Sequence, residues 1–203
     1  MFPKLAATID SLLDSEISSD RNAVLHIIID YIKNKLSNDE PVKLNFICTH
    51  NSRRSQLAQI WAQTAADYYI IDINCYSGGV EVTTFNENAV EAIIRAGFDV
   101  SSEGNENPIY LVNNSSANEP ITVFSKLFDD MTSPNKGFAA IMTCSDADEN
   151  CPLIPGAEIR ISLLYEDPKE FDNTPIKADK YDERSRQIAT EMFYVFSQIN
   201  VGQ

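Results

Sequence analysis

The chain has 203 residues, of which 43% are hydrophobic and 23% are charged, as in an ordinary globular protein. Its 30 acidic residues outnumber its 16 basic ones and give a formal net charge of -14, which repels nucleic acid, so we expect no nucleic-acid partner. No segment reaches the roughly 20 apolar residues of a membrane span, and Asp10 and Asp14 interrupt the first apolar stretch too early for a signal peptide. We therefore expect a cytoplasmic protein that does not bind membranes.

The numbers of histidines and cysteines limit the kinds of metal site and catalytic site that this chain can form. Two histidines occur, His26 and His50, which leaves little material for a histidine-based zinc site or a Ser-His-Asp triad. We expect no cofactor, and any catalysis must use thiols and carboxylates. In the cytoplasm, cysteines are more often reactive, metal-binding or buried thiols than permanent disulfides. The four cysteines are Cys48, Cys75, Cys144 and Cys151.

Residues 1–40 are predicted to form a helical hairpin ahead of the main domain. Apolar residues recur there at spacings of three and four in two stretches, which is the pattern of amphipathic helices. Pro41 ends the region, because proline disfavours helix in the residue before it. The two apolar faces contain Leu5, Ile9, Leu12 and Leu13, and then Val24, Leu25, Ile28, Ile32 and Leu36.

Residues 41–203 are predicted to form an α/β domain. Apolar strands alternate with amphipathic helices, an order that favours βαβ units and a mostly parallel sheet covered by helices on both faces. One segment breaks the order: two apolar stretches flank a polar run, which predicts a β-hairpin insertion at residues 108–124 with a mobile tip. The predicted strands are residues 42–48, 70–76, 138–143 and 159–164, and the predicted helices are residues 55–69, 86–97 and 181–199.

The main chemical signal lies in the loop between the first strand of this domain and the helix after it, which spells Cys-x5-Arg-Ser from Cys48 to Ser55. A loop at a helix N-terminus points successive backbone N–H groups inward, so it can hold a tetrahedral oxyanion such as phosphate or arsenate. Arg54 could clamp two oxygens of that ion with its planar fork, and Ser55 could donate to a thiolate at Cys48. The expected oxyanion-binding residues are Thr49, His50, Asn51, Ser52, Arg53 and Arg54.

Two residues of this loop have expected structural roles. Asn51 is expected to brace the loop, and His50 to adopt the positive φ that a winding backbone needs. The alternative is that Cys48 is a buried residue at a strand end and Arg54 an exposed helix residue. The spacing alone is weak evidence, but the order of strand, loop and helix favours the functional interpretation.

Asp167 and Pro168 follow the last predicted strand. Parallel strands deliver their C-terminal loops to the same edge of the sheet, so Asp167 is expected near Cys48. A carboxylic acid there could protonate the leaving oxygen while Cys48 attacks. Glu166 is a competing candidate, and Asp-Pro is also a common turn.

Cys144 and Cys151 flank a short acidic segment that also follows a strand. The segment has little apolar area to bury and could move, which favours a redox pair. The alternatives are two unrelated thiols or half of a metal site. The acidic residues disfavour a second thiolate nearby, so a helix dipole or local unfolding would have to offset them.

Three sets of residues together resemble a known family over residues 43–200. They are CTHNSRRSQLAQIW, then YSGGVE with FNENAVEAIIRAGFDVS, and finally TCSDADENCP with YEDP. They resemble the thioredoxin-coupled arsenate reductases, which share the fold of the low-molecular-weight tyrosine phosphatases. The resemblance implies a three-layer α/β fold with a central four-stranded parallel sheet, to which the N-terminal helices and the hairpin would be additions.

The resemblance also implies a reaction. Cys48 would attack arsenate while Asp167 protonates the departing hydroxide. Cys144 would then attack Cys48, releasing arsenite and leaving a disulfide between them. Cys151 would next attack Cys144, and thioredoxin would reduce the resulting disulfide.

This chain departs from the family pattern at several positions. His50 stands where glycine is common, and Arg53 where cysteine is common. The potassium site of some members would draw on Asn51 and Ser77, but Gln59 stands where its acidic ligand is expected, which argues against a bound potassium ion. Cys75 lies in an apolar strand and is expected to be a buried bystander.

Two further functions remain open. Cys48, Arg54 and Asp167 would equally serve a low-molecular-weight tyrosine phosphatase or a small phosphomonoester hydrolase acting through a cysteinyl-phosphate. The aromatic residues that usually follow Asp-Pro in such phosphatases are replaced by Lys169 and Glu170, which argues mildly against that activity. The other possibility is an oxyanion sensor or a redox-regulated binding module in which Cys48 only binds its ligand.

Overall fold

The computed structural model describes residues 1–151 and 153–199; the end of the predicted main domain, residues 200–203, lies outside them. No helix in these ranges combines the length and the apolar composition that a membrane crossing requires. A short 3-10 helix, Pro168–Phe171, precedes the last α-helix. The α-helices are α1 (Pro3–Leu13), α2 (Ser19–Ser37), α3 (Arg54–Tyr69), α4 (Glu87–Ala96), α5 (Ser145–Asn150) and α6 (Lys177–Ser197), and the strands are β1 (Val42–Cys48), β2 (Ile73–Gly79), β3 (Asp99–Glu103), β4 (Ile109–Asn113), β5 (Ile121–Val123), β6 (Phe138–Met142) and β7 (Ala157–Ser162).

The centre of the fold is a parallel sheet with the strand order β2, β1, β6, β7. β1 and β6 lie in its middle and are almost entirely buried. β6 is a continuous apolar segment, whereas β1 alternates apolar residues with Lys43 and Asn45 before it ends in Ile47 and Cys48. Their register pairs Ile47 with Met142, so the two strands end side by side at the carboxyl edge of the sheet. This confirms the predicted central four-stranded parallel sheet.

Two buried clusters occupy the two faces of the sheet. The larger contains Phe46 and Ile141 and includes residues of α3 and α6. The smaller contains Ile47 and Met142, together with Ala147 of α5. Because successive residues of a strand point to opposite faces, the sheet is the middle layer of three.

The two predicted N-terminal helices are present, and each packs against the α/β domain. Ile9 of α1 and Ile28 of α2 are fully buried in the cluster that contains Trp61 of α3. α1 packs on α4 and α6, while α2 packs on α6, β7 and β1. The backbone of α1 comes so close to Gly97 that a Cβ there would lie 2.4 Å from the backbone nitrogen of Leu5.

The predicted insertion is larger than a hairpin. β4 and β5 pair antiparallel as expected, and β3 extends them into a separate three-stranded sheet. β3 was missed because its residues are mostly polar and exposed, without apolar alternation. The start of the polar run is anchored, because Asn114 is only 2% exposed and its side chain donates to Asp67 of α3 at 2.7 Å, whereas residues 116–119 are exposed. The mobility of the tip stays a prediction.

The second strand of the sheet begins three residues later than the sequence predicts. α3 continues to Tyr69, and its C-cap Ile70 has a left-handed φ of 57°, which turns the chain before β2 starts at Ile73. An isoleucine is a rare choice for that conformation, so no glycine or asparagine marked the turn in the sequence.

Candidate active site

Cys48 is the last residue of β1 and lies buried at the carboxyl edge of the sheet, just before α3. Its Sγ lies 3.0 Å from Oγ of Ser55 and accepts a hydrogen bond from the backbone N–H of Asn51 at 3.2 Å. The expected contact between Ser55 and Cys48 is therefore confirmed. These polar contacts on sulfur are the kind that stabilises a thiolate.

The loop after Cys48 is held in shape from outside. Asn51, not His50, adopts the positive φ, at 45°, because asparagine tolerates the left-handed region well. The Asn51 side chain donates to Ser55 Oγ at 2.9 Å and accepts from the backbone N–H of Lys126 at 3.0 Å, which confirms that it braces the loop. Gly79 packs so closely that a Cβ there would lie 2.8 Å from the Asn51 nitrogen.

The backbone of this loop can receive an oxyanion. The carbonyl of Thr49 accepts from the backbone N–H groups of Val80 and Glu81, both at 2.8 Å, and the carbonyl of His50 accepts from Ser125 Oγ at 2.9 Å. Among the described residues, no acceptor is found for the N–H groups at positions 52 to 54. These unpaired donors lie at the N-terminus of α3, where the helix dipole favours an anion.

Arg54 and Asp167 meet beside this loop. Arg54 donates through Nη2 to Oδ2 of Asp167 at 2.7 Å and through Nη1 to the backbone oxygen of Tyr165 at 2.9 Å. Asp167 also accepts from the backbone N–H of Lys169 at 3.0 Å, as the N-cap of the short helix. Glu166 is exposed and forms no described hydrogen bond or ion pair with Arg54, so the geometry favours Asp167 as the acid.

The side chain of Arg53 points away from an oxyanion in the loop. Its Nε donates to the Tyr181 hydroxyl at 2.9 Å, and its Nη2 lies 3.6 Å from Asp172. Only the backbone N–H of Arg53 is available for the expected oxyanion binding. His50 likewise directs its ring outward, with Nε2 3.5 Å from Glu81.

Cys144 lies next to the Cys48 loop, because it follows β6 as Cys48 follows β1. Its Sγ lies 3.3 Å from Oγ1 of Thr49 and accepts from the backbone N–H of Ala147 at 3.4 Å. Cys48 and Cys144 share the smaller buried cluster, against which Cys151 also packs. The structure therefore brings the three predicted thiols to one edge of the sheet.

The segment between Cys144 and Cys151 is a helix, α5, which the sequence did not predict. Cys144 is its N-cap and Cys151 its C-cap. Asp148 ties α5 to β7: it lies 2.6 Å from Nη2 of Arg160 and accepts from Ser162 Oγ at 2.7 Å. Cys144 thus stands at a helix N-terminus, with Asp146 and Asp148 in the first turn of the helix.

Comparisons with known proteins agree with this geometry. A scan against models of protein families finds no match. An arsenate reductase of Staphylococcus aureus strain Newman is 35% identical over 124 residues, which are 61% of this chain and 76% of that protein. The chain belongs to the arsenate reductase family.

Solved structures show the same fold at lower identity. The arsenate reductase of Archaeoglobus fulgidus DSM 4304 superimposes with a TM-score of 0.50 at 15% identity, over 76% of this chain and 98% of that one. A low-molecular-weight protein tyrosine phosphatase of T. tengcongensis gives a TM-score of 0.50 at 15% identity, over 78% of this chain and 99% of that one. These structures confirm the low-molecular-weight phosphatase fold.

The residues that would hold potassium in some arsenate reductases do not fit that ion here. The hydroxyl of Ser77 donates to Oε1 of Gln59 at 2.6 Å, and Oδ1 of Asn51 accepts from the backbone of Lys126. The amide oxygen of Asn51 is thus already bonded to a protein donor, the Ser77 hydroxyl is itself the donor to Gln59, and Gln59 supplies an amide where a carboxylate ligand is expected. Within the described residues there is also no group of three or more His, Cys, Asp or Glu side chains that could hold a metal ion.

Sequence reasoning missed two residues that support the site. Tyr165 holds Arg54 through its backbone oxygen, and Lys126 holds Asn51 through its backbone nitrogen. Both act through main-chain atoms, which leave no signal in the residue type. Cys75 is buried, burial raises the pKa of its thiol well above the ordinary value, and it lies outside the cluster of Cys48 and Cys144, in agreement with its expected role as a bystander.

Proposed function

We propose that this protein reduces arsenate to arsenite through Cys48, Cys144 and Cys151, with thioredoxin as the reductant, in the cytoplasm. The observation that carries the proposal is the position of Thr49, which belongs to the oxyanion loop and lies 3.3 Å from the Cys144 sulfur. A phosphatase of this kind needs the oxyanion loop and a general acid such as Asp167, but no second thiol. A second thiol beside that loop serves reduction.

The first step uses the Cys48 loop. The Cys48 thiolate attacks arsenic and forms a sulfur–arsenic bond while the bond from arsenic to a hydroxyl oxygen breaks. Asp167 gives its proton to that oxygen, which leaves as water. Arg54 and the loop amides hold the remaining oxygens, whose charge grows in the transition state.

The second step transfers electrons to arsenic. The Cys144 thiolate attacks the Cys48 sulfur, a disulfide forms, and the sulfur–arsenic bond breaks. Its electron pair remains on arsenic, which leaves as arsenite in the +3 state. Because Cys144 caps the N-terminus of α5, the helix dipole favours the thiolate that this step needs.

The third step requires α5 to unwind. Residues seven positions apart in a helix are separated by about 10 Å, whereas the Cα atoms of a disulfide lie within about 7 Å. Cys151 can therefore attack Cys144 only after the helix opens, and that attack restores the Cys48 thiolate. The dithiol of thioredoxin then reduces the disulfide between Cys144 and Cys151 and is itself oxidised to a disulfide.

The proposal is tested by trapping disulfides after exposure to arsenate and identifying them by mass spectrometry. In the Cys151→Ser variant, the disulfide between Cys48 and Cys144 should accumulate, because nothing resolves it. The matched control Cys75→Ser should turn over like the wild-type protein. Absence of any arsenate-dependent disulfide in Cys151→Ser would reject the relay.

A phosphatase activity is the second candidate, favoured by the contact of Arg54 with Asp167, which would also serve a cysteinyl-phosphate. The Cys144→Ser variant separates the two activities. If reduction is the function, this variant loses arsenate turnover in an NADPH assay with thioredoxin and thioredoxin reductase. Vigorous hydrolysis of an aryl phosphate by both the wild-type protein and Cys144→Ser, without arsenate reduction by either, would favour the phosphatase.

A further inference from the structure

Arg21, in the first turn of α2, reaches the residues that lead to Asp167. Its Nη1 donates to the backbone oxygen of Leu164 at 2.8 Å. Its Nε and Nη2 hold the two carboxylate oxygens of Glu191 at 2.8 and 2.6 Å. The guanidinium also lies over the ring of Tyr165, 4.8 Å from its centroid. α2 thus contacts Leu164 and Tyr165, the first two residues of the segment 164–167, which we name the acid loop.

Glu191 and Tyr165 complete a buried group around Arg21. They are 3% and 5% exposed, and the Tyr165 hydroxyl donates to Oε2 of Glu191 at 2.7 Å. Burial and the Glu191 carboxylate raise the pKa of the Tyr165 phenol well above its ordinary value, so the phenol remains a donor. A buried carboxylate requires a charged partner, and Arg21 supplies it in bidentate geometry.

The acid loop connects this group to the catalytic residues. Tyr165 uses its backbone oxygen to accept from Arg54 at 2.9 Å, and Asp167 accepts from the same guanidinium at 2.7 Å. On the other side, the backbone N–H of Tyr165 donates to the carbonyl of Thr143 at 3.2 Å. The placement of Tyr165 therefore fixes where Arg54 and Asp167 can meet.

We propose that Arg21 is a positioning residue for the reaction. Through Leu164, and through Glu191 and Tyr165, it holds the acid loop so that Asp167 can protonate the leaving oxygen. The kinetic part of this inference rests on the proposed function, and the structural part does not. α2 then supports the active site in addition to packing in the hydrophobic core.

The informative variant is Arg21→Lys, which keeps a cation beside Glu191 and so avoids an unpaired buried charge. An ammonium group cannot hold both oxygens of Glu191 and the Leu164 carbonyl in one planar fork. The matched control is Arg186→Lys. Arg186 also ties an N-terminal helix to α6, by donating to Ser11 at 3.0 and 2.7 Å, but it forms no described hydrogen bond with the acid loop.

The kinetic readout is the single-turnover rate of arsenate-dependent disulfide formation between Cys48 and Cys144. Arg21→Lys should lower this rate at saturating arsenate by about 10- to 100-fold, part of what a general acid contributes. Phosphate binding should weaken by less than about threefold, because the loop amides and Arg54 remain. Arg186→Lys should match the wild-type protein.

A double-variant comparison separates positioning from general loss of structure. If Arg21 acts through Asp167, adding Arg21→Lys to Asp167→Asn should cause no further loss of rate. The same fold-loss in both backgrounds would overturn the inference, because a merely structural residue would slow the reaction whether or not Asp167 is present.

A readout independent of turnover is hydrogen exchange at the backbone N–H groups of Tyr165 and Lys169. Arg21→Lys should speed their exchange by about tenfold, and Arg186→Lys should not change it. If Arg21→Lys does not fold, the pair Arg21→Met with Glu191→Gln removes both charges together. Unchanged exchange would overturn the inference, whereas missing arsenate turnover in the wild-type protein would reject only the proposed function.

Discussion

Lys126 illustrates how one residue can oppose the stability of the fold while it supports the site. Its backbone N–H holds Asn51, and the same residue is only 5% exposed. Its ammonium lies 4.5 Å from the centroid of the Phe124 ring and forms no ion pair with any described carboxylate. Burial therefore lowers the pKa of Lys126 from 10.5 to about 8.

This lowered pKa predicts a pH-dependent gain in stability for Lys126→Met. The folded protein binds the lysine proton less tightly than the unfolded chain does, so the free-energy cost is fully present below pH 8. It fades as the pH rises through the unfolded pKa of 10.5. Urea unfolding at pH 7 should give a free energy of unfolding higher by on the order of 2–3 kcal/mol, and at pH 10 by much less. Lys136→Met, at an exposed position, is the control. A gain in the free energy of unfolding that is equal at both pH values would contradict the prediction.

At the scale of residues, the sequence predicted contacts between residues that lie close together in the chain. Cys48, Arg54 and Ser55 lie within eight positions and could be placed together before any fold was known. Lys126 and Tyr165 could not, because they meet the loop across 75 and 111 positions of the chain. The positive φ was predicted at His50 instead of Asn51 for a similar reason. Asn51 adopts that conformation in a loop whose shape depends on segments distant in the sequence.

At the scale of elements, the proposed relay places two conflicting requirements on α5. It must hold Cys144 beside Thr49, yet it must open for Cys151 to act. Its six residues, Ser145–Asn150, contain one buried side chain, Ala147, so little apolar burial opposes opening. Its polar attachments join Asp146 to Thr49 beside β1, and Asp148 to Arg160 and Ser162 of β7.

The contacts of Asp148 with β7 predict that Asp148→Ala speeds the third step of the proposed relay. Loss of a partly exposed, charge-assisted contact weakens α5 by about 1 kcal/mol, which corresponds to a roughly three- to tenfold faster disulfide between Cys144 and Cys151 if opening limits the step. Quenched-flow trapping after arsenate addition measures the rate. The control is Glu149→Ala, which removes an exposed neighbouring charge of the same helix that has no described partner. An unchanged or slower rate in Asp148→Ala would show that opening does not limit the step.

The elements that the sequence predicted are those with apolar patterns. β6 is a continuous apolar strand and β1 an alternating one, and both were placed correctly to within one residue. α5 and β3 are short and polar, so their structure comes from neighbours rather than from their own composition. Elements of this kind become predictable only when the strands beside them are known.

At the scale of the whole molecule, residues 1–40 either unfold together with residues 41–203 or unfold separately. We propose that they are an addition to the phosphatase-like domain of residues 41–203. The addition nevertheless shares the main core, because Ile9 and Ile28 belong to the same buried cluster as Trp61. A shared core predicts one cooperative transition, whereas a separate hairpin would melt by itself.

Ile9→Ala tests this, because Ile9 is fully buried in α1 and its truncation leaves a cavity costing about 2–5 kcal/mol. For a chain of this size, such a loss lowers the melting temperature by roughly 4–20 °C. The single tryptophan, Trp61, reports from α3 by fluorescence, and circular dichroism reports helices throughout the molecule. Both probes should shift together, while Ile27→Ala, at an exposed position of α2, should leave them near the wild-type value. An early loss of helix without a shift in Trp61 fluorescence would mean that α1 melts alone, and the support that α2 gives to the acid loop would then have to be independent of α1.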